Sequence, residues 1–224
     1  MNQKFKHSGA TGDIVFSLPT IKAMGGGTLY ITNFHKQRSE SIAKLIKEQP
    51  YIQDVIVTDE PVEAHNLNLF RGHVHHHFSI IKAHFIGQGI PVDNSYQDGW
   101  LTLPDTNFHL EPYCVINRTT NYADPNFDWA KEVDYLHMLA PKVYFIGYKE
   151  EHELFERTFN RSVIYHECDF LEGAFLIRDA VMFSGCYSAW STIAMGLGRT
   201  YRLEQAPGHT CSTLFHKRET LINV

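Results

Sequence analysis

Short apolar runs rich in β-branched and aromatic residues recur along the chain. Glycine, proline or acidic residues close each one, and a stretch with apolar positions at three- and four-residue spacing follows. In the first half the extended runs are Phe5 to His7, Thr28 to Thr32 and Val55 to Thr58. A helix is expected after Asp13, ending at Gly25-Gly26-Gly27 because glycine accepts the left-handed backbone that closes helices. Pro19 falls inside it, so this helix either kinks there or begins near Ser17. Ser39 or Ser41 is placed to cap a second helix, with Ile42, Leu45 and Ile46 on one face. A third helix is expected from Val74 to Phe85, stopping at Gly87 and Gly89, and the spacing of Phe70, Phe78 and Phe85 assigns them to a core.

The segment "DGWLTLPDTNFHLEPY" interrupts this rhythm with an extended Trp100 to Leu103 and two prolines among polar residues, which marks a domain boundary. Alternation then resumes. Strands are expected at Cys114 to Asn117, Val143 to Ile146, Ser162 to Tyr165, Ala180 to Ser184 and Tyr201 to Glu204. Helices are expected at Trp129 to Ala140, Glu150 to Phe159, Glu172 to Ile177 and Ala189 to Leu197. Strand-helix alternation implies parallel sheets. The expected fold class is therefore α/β, with two Rossmann-like halves, 1–108 and 109–224, whose parallel sheets face a cleft.

Composition narrows the function classes. The 224 residues, 43% of them hydrophobic, suffice for a full core in one α/β domain or two smaller ones. A net charge of -5 argues against a broad electrostatic grip on nucleic acid or anionic membrane, while leaving room for a narrow basic cleft. The N-terminus shows no apolar core with a small-residue cleavage site, and no window approaches eighteen apolar residues, so a cytoplasmic protein without stable membrane insertion is expected. Cys114, Cys168, Cys186 and Cys211 are widely separated and form no C-x-x-C pair, so reduced packing thiols are expected.

The candidate chemistry begins at "HSGATGDIVFSLPT". Backbone amides from Gly9 to Gly12, at a glycine turn opening a helix, suit an anion. A nicotinamide dinucleotide would want a third glycine near position 15 and an acid ending the second strand; the chain has Val15 and Thr32-Asn33. Asp13 reads in two ways: a carboxylate favoured by the helix dipole, or a general base at the carboxyl edge of a parallel sheet.

At these residues the chain resembles a known family. "GDIVFSLPTIKAM" is similar to the opening of the ADP-heptose:lipopolysaccharide heptosyltransferase type of GT-B glycosyltransferase, where Gly-Asp, a hydrophobic triplet, Leu-Pro and an aliphatic helix follow the first strand. "GWLTLP" resembles the family's pre-linker segment and "VINRTTNYADPNFDW" its first C-terminal strand and phosphate loop. "VYFIGYKEEHELF" looks like its second strand and helix, and "AVMFSGCYSAWSTIAMGLGRTYRLE" like its donor-binding strand, loop and helix. The resemblance implies a sugar-nucleotide donor held by the second half, an acceptor held by the first, and Asp13 as catalytic base. Family members are commonly half as long again. Their donor loop usually reads Asp-Thr/Ser-Gly-Pro-x-His, where this chain has "YSAWST", and their lysine before the tryptophan of the phosphate loop is replaced near Asn126 or Phe127. The resemblance therefore implies a transferase of the hexosyl or heptosyl type and leaves the donor sugar open.

No D-x-D pair is visible, so Arg118 is the candidate to neutralise a diphosphate leaving group, with Thr119 and Thr120 completing a fork; a surface arginine is the alternative. Asn121, a further candidate donor contact, and Tyr122 are weaker companions that shape the same loop. With Gly12, the residues Ser184, Gly185, Ser188, Ser191 and Thr192 are candidate donor contacts, though Ser188 and Ser191 read equally as helix caps. Glu204 suits ribose hydroxyls or an ion pair with Arg202 or Arg199. In "RGHVHHHFSIIKAH" a helix would bring His73, His77 and His84 near one face, which permits a metal geometrically. No neighbouring carboxylate orients the rings, so no metal is expected, and His75 and His76 are taken as acceptor-side contacts or as part of a solvated face.

The expected activity is transfer of a sugar from a nucleoside-diphosphate sugar to an acceptor hydroxyl, with inversion and without a metal or further cofactor. The acceptor is a glycan, a lipid-linked or another hydroxyl; a modified DNA base is less favoured by the acidic balance. A nucleotide-sugar-binding scaffold with degenerate catalysis and an atypical Rossmann oxidoreductase are the alternatives.

Overall fold

The computed structural model describes residues 3–32, 35–74, 79–105, 111–121 and 123–204. They divide into two compact units. One runs to Pro104 and takes in Gly196–Gly198; the other comprises Asp105–Met195 and the residues from Arg199.

In the first unit β1 (Lys4–His7), β2 (Gly27–Ile31), β3 (Ile52–Val57) and β4 (His65–Asn66) form a parallel sheet in the order β3-β2-β1-β4. The helices are α1 (Thr11–Ala23), α2 (Lys36–Lys47) and α3 (Ile80–Gly87), with a 3-10 helix at Leu67–Gly72. Strands β2 and β4 lie on opposite sides of β1, so the sheet's switch of direction falls at the carboxyl end of β1, where open α/β sheets leave a crevice. Helix α1 is apolar almost all round: Ile14, Val15, Leu18 and Ile21 are fully buried.

Pro19 neither starts nor breaks that helix, which begins at Thr11, ahead of Asp13. Proline has no N–H to give the carbonyl four residues back, and the indole N–H of Trp100 supplies it instead, donating to the Val15 carbonyl at 3.1 Å. The Gly25-Gly26 stop holds: both glycines have positive φ, the Gly26 N–H reaches the Ile21 carbonyl at 2.9 Å, and a Cβ on Gly26 would collide with the Tyr51 carbonyl oxygen.

Other boundaries move. Helix α2 starts at Lys36, placing Ser39 and Ser41 inside it; Ser39 sits one turn before Ile42 and so shares the buried stripe. Ser79 caps α3, its hydroxyl accepting from the Lys82 N–H at 3.3 Å, so the helix begins at Ile80. His73 closes the preceding 3-10 helix, and the expected continuous helix carrying both His73 and His84 on one face does not form. His75, His76, His77 and Phe78 lie outside the described residues. Trp100 to Leu103 joins no sheet; its polar backbone bonds instead to Gly196 and to the side chain of Gln49.

The second unit contains β5 (Tyr113–Asn117), α4 (Trp129–Leu139), β6 (Lys142–Phe145), α5 (Lys149–Phe159), β7 (Ile164–Tyr165), α6 (Phe170–Asp179), β8 (Met182–Gly185), α7 (Ala189–Gly196) and β9 (Tyr201–Leu203). Its parallel sheet has the order β7-β6-β5-β8-β9, placing the switch at the carboxyl ends of β5 and β8. Every residue of β5 is buried, and Trp129, Val133, Leu136, Phe145 and Phe155 pack beside it. A reciprocal capping box between Asp169 and Glu172 starts α6 two residues ahead of Glu172.

Candidate functional site

At the β1 switch point Asp13 stands in the first turn of α1, its side chain 20% exposed. Burial pushes its carboxyl above the usual carboxylate range; the Arg71 guanidinium and the Ala10 N–H pull the other way without cancelling it. The carboxylate is thus more basic than a surface aspartate, as a proton acceptor working near neutrality needs to be. Gly12 adjoins it in the same turn.

The turn is not a simple anion cradle. The Gly9 N–H points inward and donates to His7 Nδ1 at 2.9 Å. A Cβ on Gly9 would stand 2.5 Å from the His7 ring and 3.0 Å from the Arg71 guanidinium, so glycine is required for the approach of these side chains.

Beneath it lies a buried imidazole pair, His7 and His84, with ring centroids 5.4 Å apart and His84 stacked on Phe70 at 4.1 Å. Burial pulls His7 down to about 3 and His84 well below 6.5, and the Arg71 charge adds to both shifts. Carbonyls of Asp13 and Leu67 lie near the His84 ring and oppose this, without an aligned hydrogen bond to either ring nitrogen. Both rings are therefore neutral at physiological pH.

A histidine whose folded value is depressed confers stability that is fully present above 6.5 and is lost as pH falls towards the folded value, because only the unfolded chain binds the proton. His84→Phe keeps the stack on Phe70 and removes two unpartnered nitrogens. Its stability should match or exceed wild type at neutral pH and fall less steeply below 6.5, by about 1.4 kcal/mol per pH unit; denaturant melts across that range check this.

In the second unit the sequence candidates cluster at the ends of β5, β8 and β9, but their side chains are engaged in unexpected ways. Arg118 forms an ion pair from Nε to Glu204 Oε1 at 3.3 Å, with its guanidinium 4.9 Å from the centre of the Phe159 ring. Glu204 therefore pairs with Arg118, not with Arg199 or Arg202. It is fully buried and also accepts from the Trp129 indole at 3.0 Å and the Asp124 N–H at 3.3 Å, so its carboxylate holds the loop after β5 in place. The Ser184 hydroxyl, expected at the donor, is fully buried and donates to Glu132 at 2.8 Å, while Arg202 pairs with the other oxygen of Glu132.

Ser188 and Ser191 cap α7 reciprocally: each accepts from the other's backbone N–H, and Ser188 also donates to Asn117 Oδ1 at 2.7 Å. The Thr192 hydroxyl donates to the Ser188 carbonyl. Gly185 lets β8 close on β5, since its Cβ would stand 2.8 Å from the Asn117 carbonyl oxygen. Thr119 donates its N–H to the Cys186 sulfur at 3.1 Å, and Asn121 is exposed on the loop. Of the candidates at these strand ends, Arg118 and Thr119 are partly exposed and Thr120 and Asn121 exposed, whereas Ser184, Ser191 and Thr192 are buried.

The described cysteines are free, and burial raises Cys114 and Cys186 to about 11 and Cys168 to about 12, so they are unreactive packing thiols. Among the described residues no three His, Cys, Asp or Glu side chains form a metal-ligand set, and no helix is long and apolar enough to cross a membrane. His75, His76, Tyr122 and Cys211 lie outside the described residues. Sequence reasoning missed His7 and Arg71. His7 was legible as the last residue of the strand ahead of the Gly9 turn, whereas nothing local marked Arg71.

Two α/β units, each with an all-parallel sheet and polar side chains gathered at its switch point, define a GT-B-like glycosyltransferase fold. The chain is similar to a family 9 glycosyl transferase from Veillonella parvula, with a TM-score of 0.73 and 10% identity over 99% of this chain and 85% of that one. The E. coli heptosyltransferase WaaC with ADP gives 0.68 and 12% identity over 99% of this chain and 92% of its own. TibC, an iron-containing dodecameric heptosyltransferase in complex with ADP-D-beta-D-heptose, gives 0.65 and 17% identity; the alignment covers 97% of this chain and 62% of TibC. At these identities the likeness establishes the fold. No protein-family model matches the sequence, and no curated protein matches it.

Proposed function

We propose that the protein is a glycosyltransferase that moves a sugar from a nucleoside-diphosphate sugar to an acceptor hydroxyl by one inverting displacement. The observation that carries this is Asp13, a partly buried carboxylate of raised basicity at the sheet's switch point. An Asp13 oxygen takes the hydroxyl proton as the acceptor oxygen bonds to the anomeric carbon and the bond from that carbon to the diphosphate oxygen breaks. The departing charge is assigned to Arg118 with the Thr119 loop. Glu204 lies against the Nε of Arg118, and the terminal nitrogens of Arg118 are the donors proposed to meet phosphate oxygens. A nucleotide donor is further supported by the ADP and ADP-sugar held by similar structures. No metal is assigned a step.

A binding protein without transfer is the second reading. It is favoured by the internal engagement of Ser184, Ser188, Ser191 and Thr192. Thermal melts with ADP-, UDP-, GDP-, dTDP- and CMP-sugars, with NAD and NADP as controls, test the donor class. One sugar nucleotide should raise the melting temperature selectively, by the equivalent of about 2.7 kcal/mol at a hundred times its Kd. Release of nucleoside diphosphate with an acceptor then separates transfer from binding, and a response confined to the nicotinamide dinucleotides overturns both readings.

A further inference from the structure

Arg71 reaches Asp13 from a separate element of the fold. It lies in the 3-10 helix after β4, on the far side of the switch point, and its Nη2 stands 3.3 Å from Asp13 Oδ2. Its backbone is tied down in several places. The Asn66 side chain caps the 3-10 helix by accepting from the Asn68 N–H. Asn68 Oδ1 accepts from Ser8 N–H at 3.1 Å, joining this helix to the β1–α1 turn. Phe70 is buried under the His84 ring, and Gly87 of α3 passes so close that a Cβ there would stand 2.9 Å from the Phe70 nitrogen. The guanidinium itself lies 5.0 Å from the centre of the Phe70 ring, and both it and the His7 ring crowd Gly9.

From this geometry we infer that Arg71 is a positioning residue: by holding one oxygen of Asp13 it turns the other toward the acceptor hydroxyl and sets the pH range over which the carboxylate is ionised. The inference rests on the reading of Asp13 as the base. The groups that act on that carboxylate are Arg71 from the 3-10 helix and the Ala10 amide; His84 from α3, paired with His7 from β1, lies near the Asp13 backbone carbonyl. The two imidazoles are neutral, so Arg71 is the cation that acts on Asp13 among the described residues. Without it burial acts on the carboxyl with only the Ala10 amide opposing, and its ionisation must move to higher pH. Because Arg71 is 57% exposed, salt must weaken the effect.

The test reads Asp13 itself as well as turnover. The carbon-13 signal of the Asp13 carboxyl, assigned by its loss in Asp13→Asn, is titrated in wild type, Arg71→Gln and Arg71→Lys, alongside pH profiles of kcat. In Arg71→Gln the Asp13 midpoint and the acid limb of kcat should both move up, with kcat at the plateau down about tenfold and the KM for the sugar nucleotide little changed. Arg71→Lys should restore the midpoint and only part of the rate, since lysine keeps the charge and loses the guanidinium geometry. In the wild-type protein, salt at about 1 M should raise the midpoint, an arm that needs no Arg71 variant to fold. A midpoint unmoved by Arg71→Gln and by salt overturns the inference even if Asp13→Asn abolishes transfer. A midpoint that moves in a protein that turns over no sugar nucleotide leaves the Arg71 coupling standing and removes the transferase reading.

Discussion

Asp13→Asn should lower sugar transfer by about 10²- to 10⁴-fold, the range a positioned general base contributes, while leaving affinity for the sugar nucleotide close to wild type. Asparagine keeps the shape of the side chain and can still meet Arg71, but at neutral pH it has no lone pair basic enough to take the hydroxyl proton. Stability should respond in the opposite direction. Asp13 has its folded value raised by burial, so its contribution is fully present below the unfolded value of 3.8 and is lost as pH rises through the folded one. Above that point the ionised carboxylate is a cost to the fold, and Asp13→Asn should melt no lower than wild type. Single-turnover rates and thermal melts on the same preparation measure both. Retained turnover sinks the base assignment, and a large drop in melting temperature sinks the account of a carboxylate held at the fold's expense.

The second large effect is expected at Glu204. Its carboxylate, fully buried, accepts from Trp129 and Asp124 and lies against Arg118, so truncation leaves a largely buried guanidinium and an indole N–H without their partner. Glu204→Ala should cost about 3–5 kcal/mol, the usual penalty for breaking a buried pair from one side. In a chain of this size that lowers the melting temperature by on the order of 10 °C. Adding Arg118→Met should recover part of the loss, because the uncompensated charge goes with it. Additive losses in the double variant would show that the two side chains act independently. If Glu204 instead contacts ribose directly and contributes little to the fold, Glu204→Ala will weaken nucleotide binding with a near-normal melt.

Much of the architecture was written locally. The run from Phe5 to His7, the Asp13 helix and the Gly25–Gly27 stop were legible because strand alternation, helix periodicity and left-handed glycine caps depend on residues a few positions apart. Helix starts were harder. Ser39 and Ser41 looked like caps yet lie inside α2, since a serine on the buried stripe has the same composition signal as one at a helix start. The serines around β8 and α7 were found in the right place, but their partners were not visible: whether a hydroxyl faces a ligand or a buried Glu132 depends on which side of the strand it occupies.

By itself the sequence determined two parallel α/β halves and an aspartate at the first turn, because both follow from short-range pattern. Only the tertiary structure decided what surrounds that aspartate. Arg71 is 58 positions from it, the Trp100 indole that satisfies Val15 is 85 positions away, and Trp129 meets Glu204 across 75. Such pairs arise from the order in which strands join each sheet. That order depends on burying whole apolar faces together, and no window of neighbouring residues contains it.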